Sequence, residues 1–325
     1  MGHHLRHGAR GRRERRPHPR PPEGDRGRDQ HPPREPRDYL PGTTLLLTVR
    51  ATTDPAVALA EADIAVLSIL AQTLRANLAA WAPFIGADTV VVSLMKGIET
   101  DTGLRMSEVV AQVADLPTDR VAVLSGPNLA REIAARQPAA SVIACVDEKV
   151  AERLQKASPT SYFRPYTNPD VVGCELGGAV KNVIALAVGL SSGLGLGDNA
   201  TALLMTRGLA ETARLGQALG ADPITVSGLA GIGDLVATCS SPLSRNRTFG
   251  EHLGKGMTVR EAAIATSQTA EGVKSAAALL AVTRRHGVEM PITEIVVDVI
   301  DGRLTAREAA DVLMARTPKG ERYGN

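Results

Sequence analysis

The sequence predicts an α/β domain followed by an all-α domain, and three observations predict it. Short runs rich in Val and Ile, without polar alternation, recur between amphipathic stretches from about residue 39 to 172. Strand–helix repetition of that length fits a doubly wound, parallel sheet covered on both faces. From about residue 173 the strand-like runs stop and long helical patterns take over. At 325 residues the chain is long enough for two domains.

Taken in order, residues 1–38 hold eleven Arg, seven Pro and five of the seven His, with Met1, Leu5 and Ala9 as the apolar side chains. Such a composition cannot bury enough surface to order itself, so a disordered tail is expected. An arm gripping phosphate backbones, or metal capture by His3, His4 and His7, are the functional alternatives. Strands are then expected at Leu45 to Ala51, Asp63 to Leu70, Thr89 to Leu94, Arg120 to Leu124, Ser141 to Val146 and Tyr162 to Tyr166. Helices fall between them at Pro55 to Glu61, Gln72 to Trp81, Met106 to Ala114, Ala130 to Ala135 and Glu148 to Lys156. The second domain, 173–325, reads as helices over Thr201 to Leu219, Val259 to Thr266, Gly272 to His286, Thr293 to Asp301 and Ala306 to Met314, the last opened by Thr305 as a cap.

Charge and composition narrow the function classes. The eleven Arg of residues 1–38 face six acidic residues, so a chain of net +2 carries a net negative body. With one Trp, four Tyr and three Phe, that body lacks the basic stripe and stacking aromatics of a nucleic-acid binder. Cys145, Cys174 and Cys239 are odd in number and widely spaced, which suits free thiols in a reducing cytoplasm. No uninterrupted apolar run reaches the ~18 residues of a membrane span, and no signal-peptide pattern is present, so neither membrane nor secretion is expected.

One side chain stands out. Lys181 lies in Gly177-Gly178-Ala179-Val180-Lys181-Asn182-Val183-Ile184-Ala185, and its helix neighbours Gly177, Gly178, Ile184 and Ala185 are all non-polar. A surface lysine reaching solvent from a helix end would explain it, as would a catalytic role. In open parallel sheets ligands sit beyond the carboxyl ends of strands, which draws attention to Lys96-Gly97-Ile98-Glu99 and to Ser125-Gly126-Pro127-Asn128-Leu129-Ala130. Either could be a generic connecting loop. The helical half adds a glycine-rich turn presenting Asp234, and then Ser244-Arg245-Asn246-Arg247, a donor set suited to a phosphate dianion or simply an exposed basic turn. Gly193-Leu194-Gly195-Leu196-Gly197 imitates a dinucleotide loop but is off register for G-x-G-x-x-G. Beyond the tail only His252 and His286 remain, leaving little material for a Ser-His-Asp arrangement or a multi-histidine metal site, and no metal is expected.

Together, Lys96-Gly97-Ile98-Glu99, Ser125 to Ala130, Gly178 to Asn182, Gly231-Ile232-Gly233-Asp234-Leu235 and Ser244 to Gly250, in this order, closely resemble the bacterial-type NAD(P)-dependent glycerol-3-phosphate dehydrogenases. The resemblance implies a Rossmann-type domain and a helical domain of the 6-phosphogluconate dehydrogenase-like type. It implies reduction of dihydroxyacetone phosphate to sn-glycerol 3-phosphate with NAD or NADP, in phospholipid synthesis. By motif, Lys181 would transfer the proton and Lys96 would touch substrate and cofactor. Gly126, Asn128, Asp234, Ser244, Arg245 and Asn246 would hold the substrate, and Ala130, Arg245, Thr269 and Glu271 would meet the cofactor. Desolvation of Lys181 on its apolar face would move its pKa toward working pH. A homodimer is the assembly to test.

The family begins with a strand, a G-x-G-x-x-G-type loop, a helix and a second strand, whereas Gly2, Gly8, Gly11, Gly24 and Gly27 show no such spacing. The Arg, Pro, Gly and His enrichment there is what a GC-rich coding region yields when read out of frame, so a misplaced start is expected. The rivals are another dehydrogenase of the same plan acting on β-hydroxy acids, and a non-catalytic interaction protein with an Arg-rich anion-binding arm.

Overall fold

The computed structural model describes residue 40, residues 42–266 and residues 270–315. Its first half is a five-stranded sheet of sequential order, made of β1 (Ile64–Leu67), β2 (Val90–Ser93), β3 (Val121–Ser125), β4 (Ala139–Ala144) and β5 (Phe163–Asn168). Every residue of β2 and β3 is buried, which is why these strands read as unbroken aliphatic runs. Helices α1 (Pro55–Leu59), α2 (Leu74–Trp81), α3 (Met106–Ala114), α4 (Ala130–Ala134) and α5 (Glu148–Ala157) connect and cover them.

β1, β2 and β3 run parallel, but β4 pairs antiparallel with β3, and β5 then runs parallel to β4. The sheet is therefore mixed, where a wholly parallel one was expected. The cause lies in the β3–β4 connection, whose one helix, α4, has five residues. Five helical residues advance about 7.5 Å, whereas the five-residue strand β3 advances about 16 Å. So short a helix does not carry the chain back across the sheet, and β4 re-enters from the end at which β3 left. The β4–β5 connection carries the ten-residue α5 and makes the parallel return. The strand expected at Leu45 to Ala51 does not form. Among the described residues it has no neighbour to satisfy its backbone, and Leu46 and Leu47 are exposed.

The second half packs α6 (Val171–Gly193), α7 (Asp198–Ala218), α8 (Pro223–Val226), α9 (Asp234–Ser240), α10 (Arg245–Gly254), α11 (Val259–Ala265), α12 (Glu271–Arg285), α13 (Pro291–Ile300) and α14 (Ala306–Met314). At its centre is α6, started by Asp170, whose side chain accepts the Gly173 N–H at 2.8 Å. It is buried without a break from Gly173 to Ser191, as a helix apolar on all sides must be. By length and composition α6 could cross a membrane, and so could the stretch Pro223–Ser240, contrary to the sequence expectation. In this fold α6 is the core helix, with 94% of its apolar window inside the protein.

Helix α10, where the sequence left open a phosphate-binding donor set or an exposed basic turn, crosses α6 at near-contact of backbones. A Cβ at Gly250 would lie 2.2 Å from the Leu186 carbonyl oxygen, and one at Gly189 would lie 2.1 Å from that of Arg247. Gly193 opposes Gly254 in the same seam, so the first glycine of the off-register run serves packing. The sheet and the helices are joined by a buried carboxylate. Glu175 of α6 accepts the Ser107 N–H at 2.8 Å and Arg105 Nη1 at 2.7 Å, and so caps the start of α3.

Candidate active site

The loops after β2 and β3 meet α6 and α9 at a pair of lysines. Lys96, three residues beyond β2, donates to the Gly126 carbonyl at 2.9 Å, to Asn128 Oδ1 at 2.9 Å and to Asp234 Oδ2 at 2.7 Å. Lys181, midway along α6, donates to Asp234 Oδ1 at 2.5 Å and to Thr238 Oγ1 at 2.7 Å. One carboxylate thus bridges two ammonium groups, and Asp234 and Lys181 are buried with it.

Local sequence explains the placement. Gly231 folds into a π-helical turn over Leu229–Gly233, where a Cβ would fall 1.9 Å from the Val226 carbonyl oxygen. That tight turn launches α9 with Asp234 as its first residue, so Thr238 lies one turn later on the same face. Gly178 leaves room for the Lys96 stem, because a Cβ there would stand 3.2 Å from Lys96 Cγ and 3.0 Å from Ser125 Oγ.

Donor counting separates the two lysines. An ammonium has three N–H donors. Those of Lys96 are all spent, on Gly126, Asn128 and Asp234. Among the described residues Lys181 spends two, on Asp234 and Thr238, and keeps one. Burial pushes the Lys96 pKa down to about 8, with Asp234 opposing the shift and the neighbouring Lys181 charge adding to it.

The remaining sequence candidates divide. Glu271, first residue of α12, accepts the Ala71 N–H; burial raises its pKa, and Arg245, Lys181 and Lys96 all oppose that rise, so it shares their neighbourhood. Arg245 begins α10 on the exposed side. Ser244 is buried and caps α10, its Oγ accepting the Arg247 N–H at 3.3 Å. Asn246 points inward, joined to Asn182 and Gly272. Ala130 is the first residue of α4 and half-buried. Thr269 lies outside the described residues. Sequence reasoning missed Thr238; the signal was its spacing of four from Asp234, hidden while that segment was read as a turn. It also missed Gln72, which donates to the Ile98 carbonyl at 2.8 Å and accepts the Thr100 N–H at 2.9 Å, holding the Lys96 loop.

The lysine pair lies at the carboxyl ends of β2 and β3, where open α/β sheets bind ligands. Among the described residues no glycine-rich turn links a strand to a helix N-terminus in the manner that cradles a pyrophosphate, and β1 forms the sheet's edge.

A Rossmann-type sheet joined to a helical domain, with a lysine–carboxylate–lysine centre where they meet, defines a two-domain dehydrogenase. Its sequence carries the match further. The N-terminal model of the NAD-dependent glycerol-3-phosphate dehydrogenases matches residues 29–151, and the C-terminal model matches residues 170–311. The chain belongs to this family. The glycerol-3-phosphate dehydrogenase [NAD(P)+] of Streptomyces griseus is 65% identical over 285 residues, 88% of this chain and 85% of that protein. The Thermobifida fusca protein of the same name is 65% identical over 287 residues, with the same shares covered. The crystal structure of glycerol-3-phosphate dehydrogenase from Coxiella burnetii superposes with a TM-score of 0.83 at 36% identity, covering 87% of this chain and 86% of that one. The N-terminal match begins at residue 29, inside the stretch expected to be tail.

Proposed function

We propose that this chain reduces dihydroxyacetone phosphate to sn-glycerol 3-phosphate with NADH or NADPH, and that it supplies the glycerol backbone of phospholipids in the cytoplasm. The observation that carries the reading is the unspent donor of Lys181 beside Asp234. The cofactor, when bound, supplies a hydride to the ketone carbon. The carbonyl oxygen then becomes an alkoxide, and a proton from Lys181 Nζ turns it into the hydroxyl; solvent reprotonates the amine. The two ammonium charges stabilise the developing negative oxygen before the proton moves.

Asp234 holds both lysines in one geometry, and Thr238 fixes the direction of Lys181 by accepting one of its hydrogens while lying 3.5 Å from Asp234 Oδ1. Gly126 and Asn128 keep Lys96 in place through its remaining donors. The guanidinium of Arg245, exposed at the start of α10, would take the phosphate dianion. Lys96, Arg245 and Glu271 would meet the cofactor, with Ala130 and Thr269 as further candidates and Ser244 and Asn246 near the substrate. The assembly we expect is a homodimer.

The test is oxidation of NADH and NADPH by the full chain with dihydroxyacetone phosphate, with dihydroxyacetone, and with a panel of β-keto acids. Turnover should require the phosphate ester. Equal turnover with the unphosphorylated ketone, or preference for a keto acid, would replace this reading with another two-domain dehydrogenase.

A further inference from the structure

Three hydrogen bonds that the proton transfer does not use run in a single line. Asn182 Nδ2 donates to the Lys96 carbonyl at 3.0 Å, Asn182 Oδ1 accepts from Asn246 Nδ2 at 2.9 Å, and Asn246 Oδ1 accepts the Gly272 N–H at 3.0 Å. Both carboxamides are buried, at 4% and 9% exposure. A carbonyl at one end can only accept and a backbone N–H at the other can only donate, so both amides must point the same way. The line has one polarity, set by the main chain at its two ends.

Each link neighbours a residue of the site. The line starts in the loop of Lys96, passes α6 beside Lys181, crosses α10 beside Arg245, and ends on α12 beside Glu271. Gly272 is seated by the same residues: a Cβ there would lie 2.8 Å from the Asn182 carbonyl oxygen and 2.9 Å from Asn246 Oδ1. Half-made, such a line would leave buried polar groups unsatisfied, so it favours one arrangement of four segments over any neighbouring one.

We propose that Asn182 is a positioning residue, which through Asn246 keeps the N-terminus of α12, on the cofactor side, in register with the Lys96 loop and α10 on the substrate side. The proposal rests on the dehydrogenase reading for its consequence in turnover, but not for its structural content. Asn182→Asp turns the donor into an acceptor facing the Lys96 carbonyl, while its partner bond to Asn246 can persist. Asn246→Asp likewise sets two acceptors against each other at Asn182.

The experiment measures hydrogen exchange at the Gly272 amide, amine labelling of Lys96 followed by mass spectrometry, and turnover with dihydroxyacetone phosphate, all on the full chain. In Asn182→Asp, exchange at Gly272 and labelling at Lys96 should both rise, and turnover should fall about 10²-fold, the loss expected from a displacement near 1 Å. The introduced carboxyl regains a donor when protonated, so the defect should ease as pH falls, which a general packing defect would not do. Adding Asn246→Asp should cost little more, because the line is already broken. Unchanged Gly272 exchange and Lys96 labelling, or losses that multiply in the double variant, overturn the proposal. If Asn182→Asp fails to fold, Asn246→Asp decides: it touches no atom of Lys96, yet labelling there must rise, and unchanged labelling overturns the proposal. Should the wild-type chain not reduce the ketone, the dehydrogenase reading fails while exchange and labelling still judge the line of amides.

Discussion

Two lysines at one carboxylate differ in how their hydrogens are committed. Among the described residues Lys96 gives all three to Gly126, Asn128 and Asp234, which in the proposed reading leaves it a fixed positive charge, whereas Lys181 keeps one, which that reading gives to the substrate. The Lys96 ammonium titrates near pH 8 because burial disfavours its charge. Its cation is the working form, so kcat/KM for ketone reduction should be level below pH 8 and fall as pH rises through that value. Lys96→Met should remove this limb from the pH profile and lower kcat/KM about 10²-fold, as loss of a fixed charge preorganised beside the developing alkoxide does. A profile flat to pH 10 in the unaltered chain would contradict the role. A cation among Gly177, Gly178, Ile184 and Ala185 marked Lys181 at this scale but left a lysine reaching solvent as an equal reading, and its burial beside Asp234 removes that one. The inward turn of Asn246 was not legible, since its partners Asn182 and Gly272 are 64 and 26 residues away in sequence.

Two helix starts in this fold, those of α3 and α13, are capped by buried carboxylates from distant elements. Glu211 of α7 accepts the Ile292 N–H of α13 at 2.7 Å and the Thr293 N–H and Oγ1 at 3.4 Å each. Burial raises its pKa to about 7, against the lowering effect of those bonds and of Arg214. A carboxyl whose folded pKa is raised above its unfolded value of 4.5 contributes fully below that value, and its contribution is lost as pH rises toward 7. The difference is worth up to about 3 kcal/mol. Glu211→Gln keeps an acceptor for Ile292 and removes the charge, so its melting temperature should decline less between pH 4.5 and 7.5 than that of the unaltered chain. Parallel slopes would remove Glu211 from the account. Elements with clear periodic patterns, such as α3 and α14, were legible to the residue, because the local pattern and, for α14, the capping box agree with the packing. The reversal at β4 was not, since strand direction depends on how far α4 reaches. Nor was α10, whose charged face conceals the glycine seam of Gly250 and Gly254 that seats it on α6.

At the scale of the whole molecule, the lysine pair and Asp234 lie where the sheet and the helices meet. The sheet contributes Lys96, Gly126 and Asn128 from the ends of β2 and β3, and the helices contribute Lys181, Asp234 and Thr238. Glu175 pins α6 to α3 close by, which keeps the halves from sliding past each other. Burial raises the Glu175 pKa, and the bonds from Arg105 and Ser107 resist that rise. The central claim is that the free hydrogen of Lys181 ends on the substrate oxygen. The direct measurement is single-turnover oxidation of bound NADH or NADPH by dihydroxyacetone phosphate in Lys181→Ala, alongside the unaltered chain, with folding checked by circular dichroism. The account predicts a native-like spectrum and a rate lower by roughly 10²–10⁴-fold, the contribution of a positioned acid. A folded Lys181→Ala protein that turns over at the unaltered rate would contradict it.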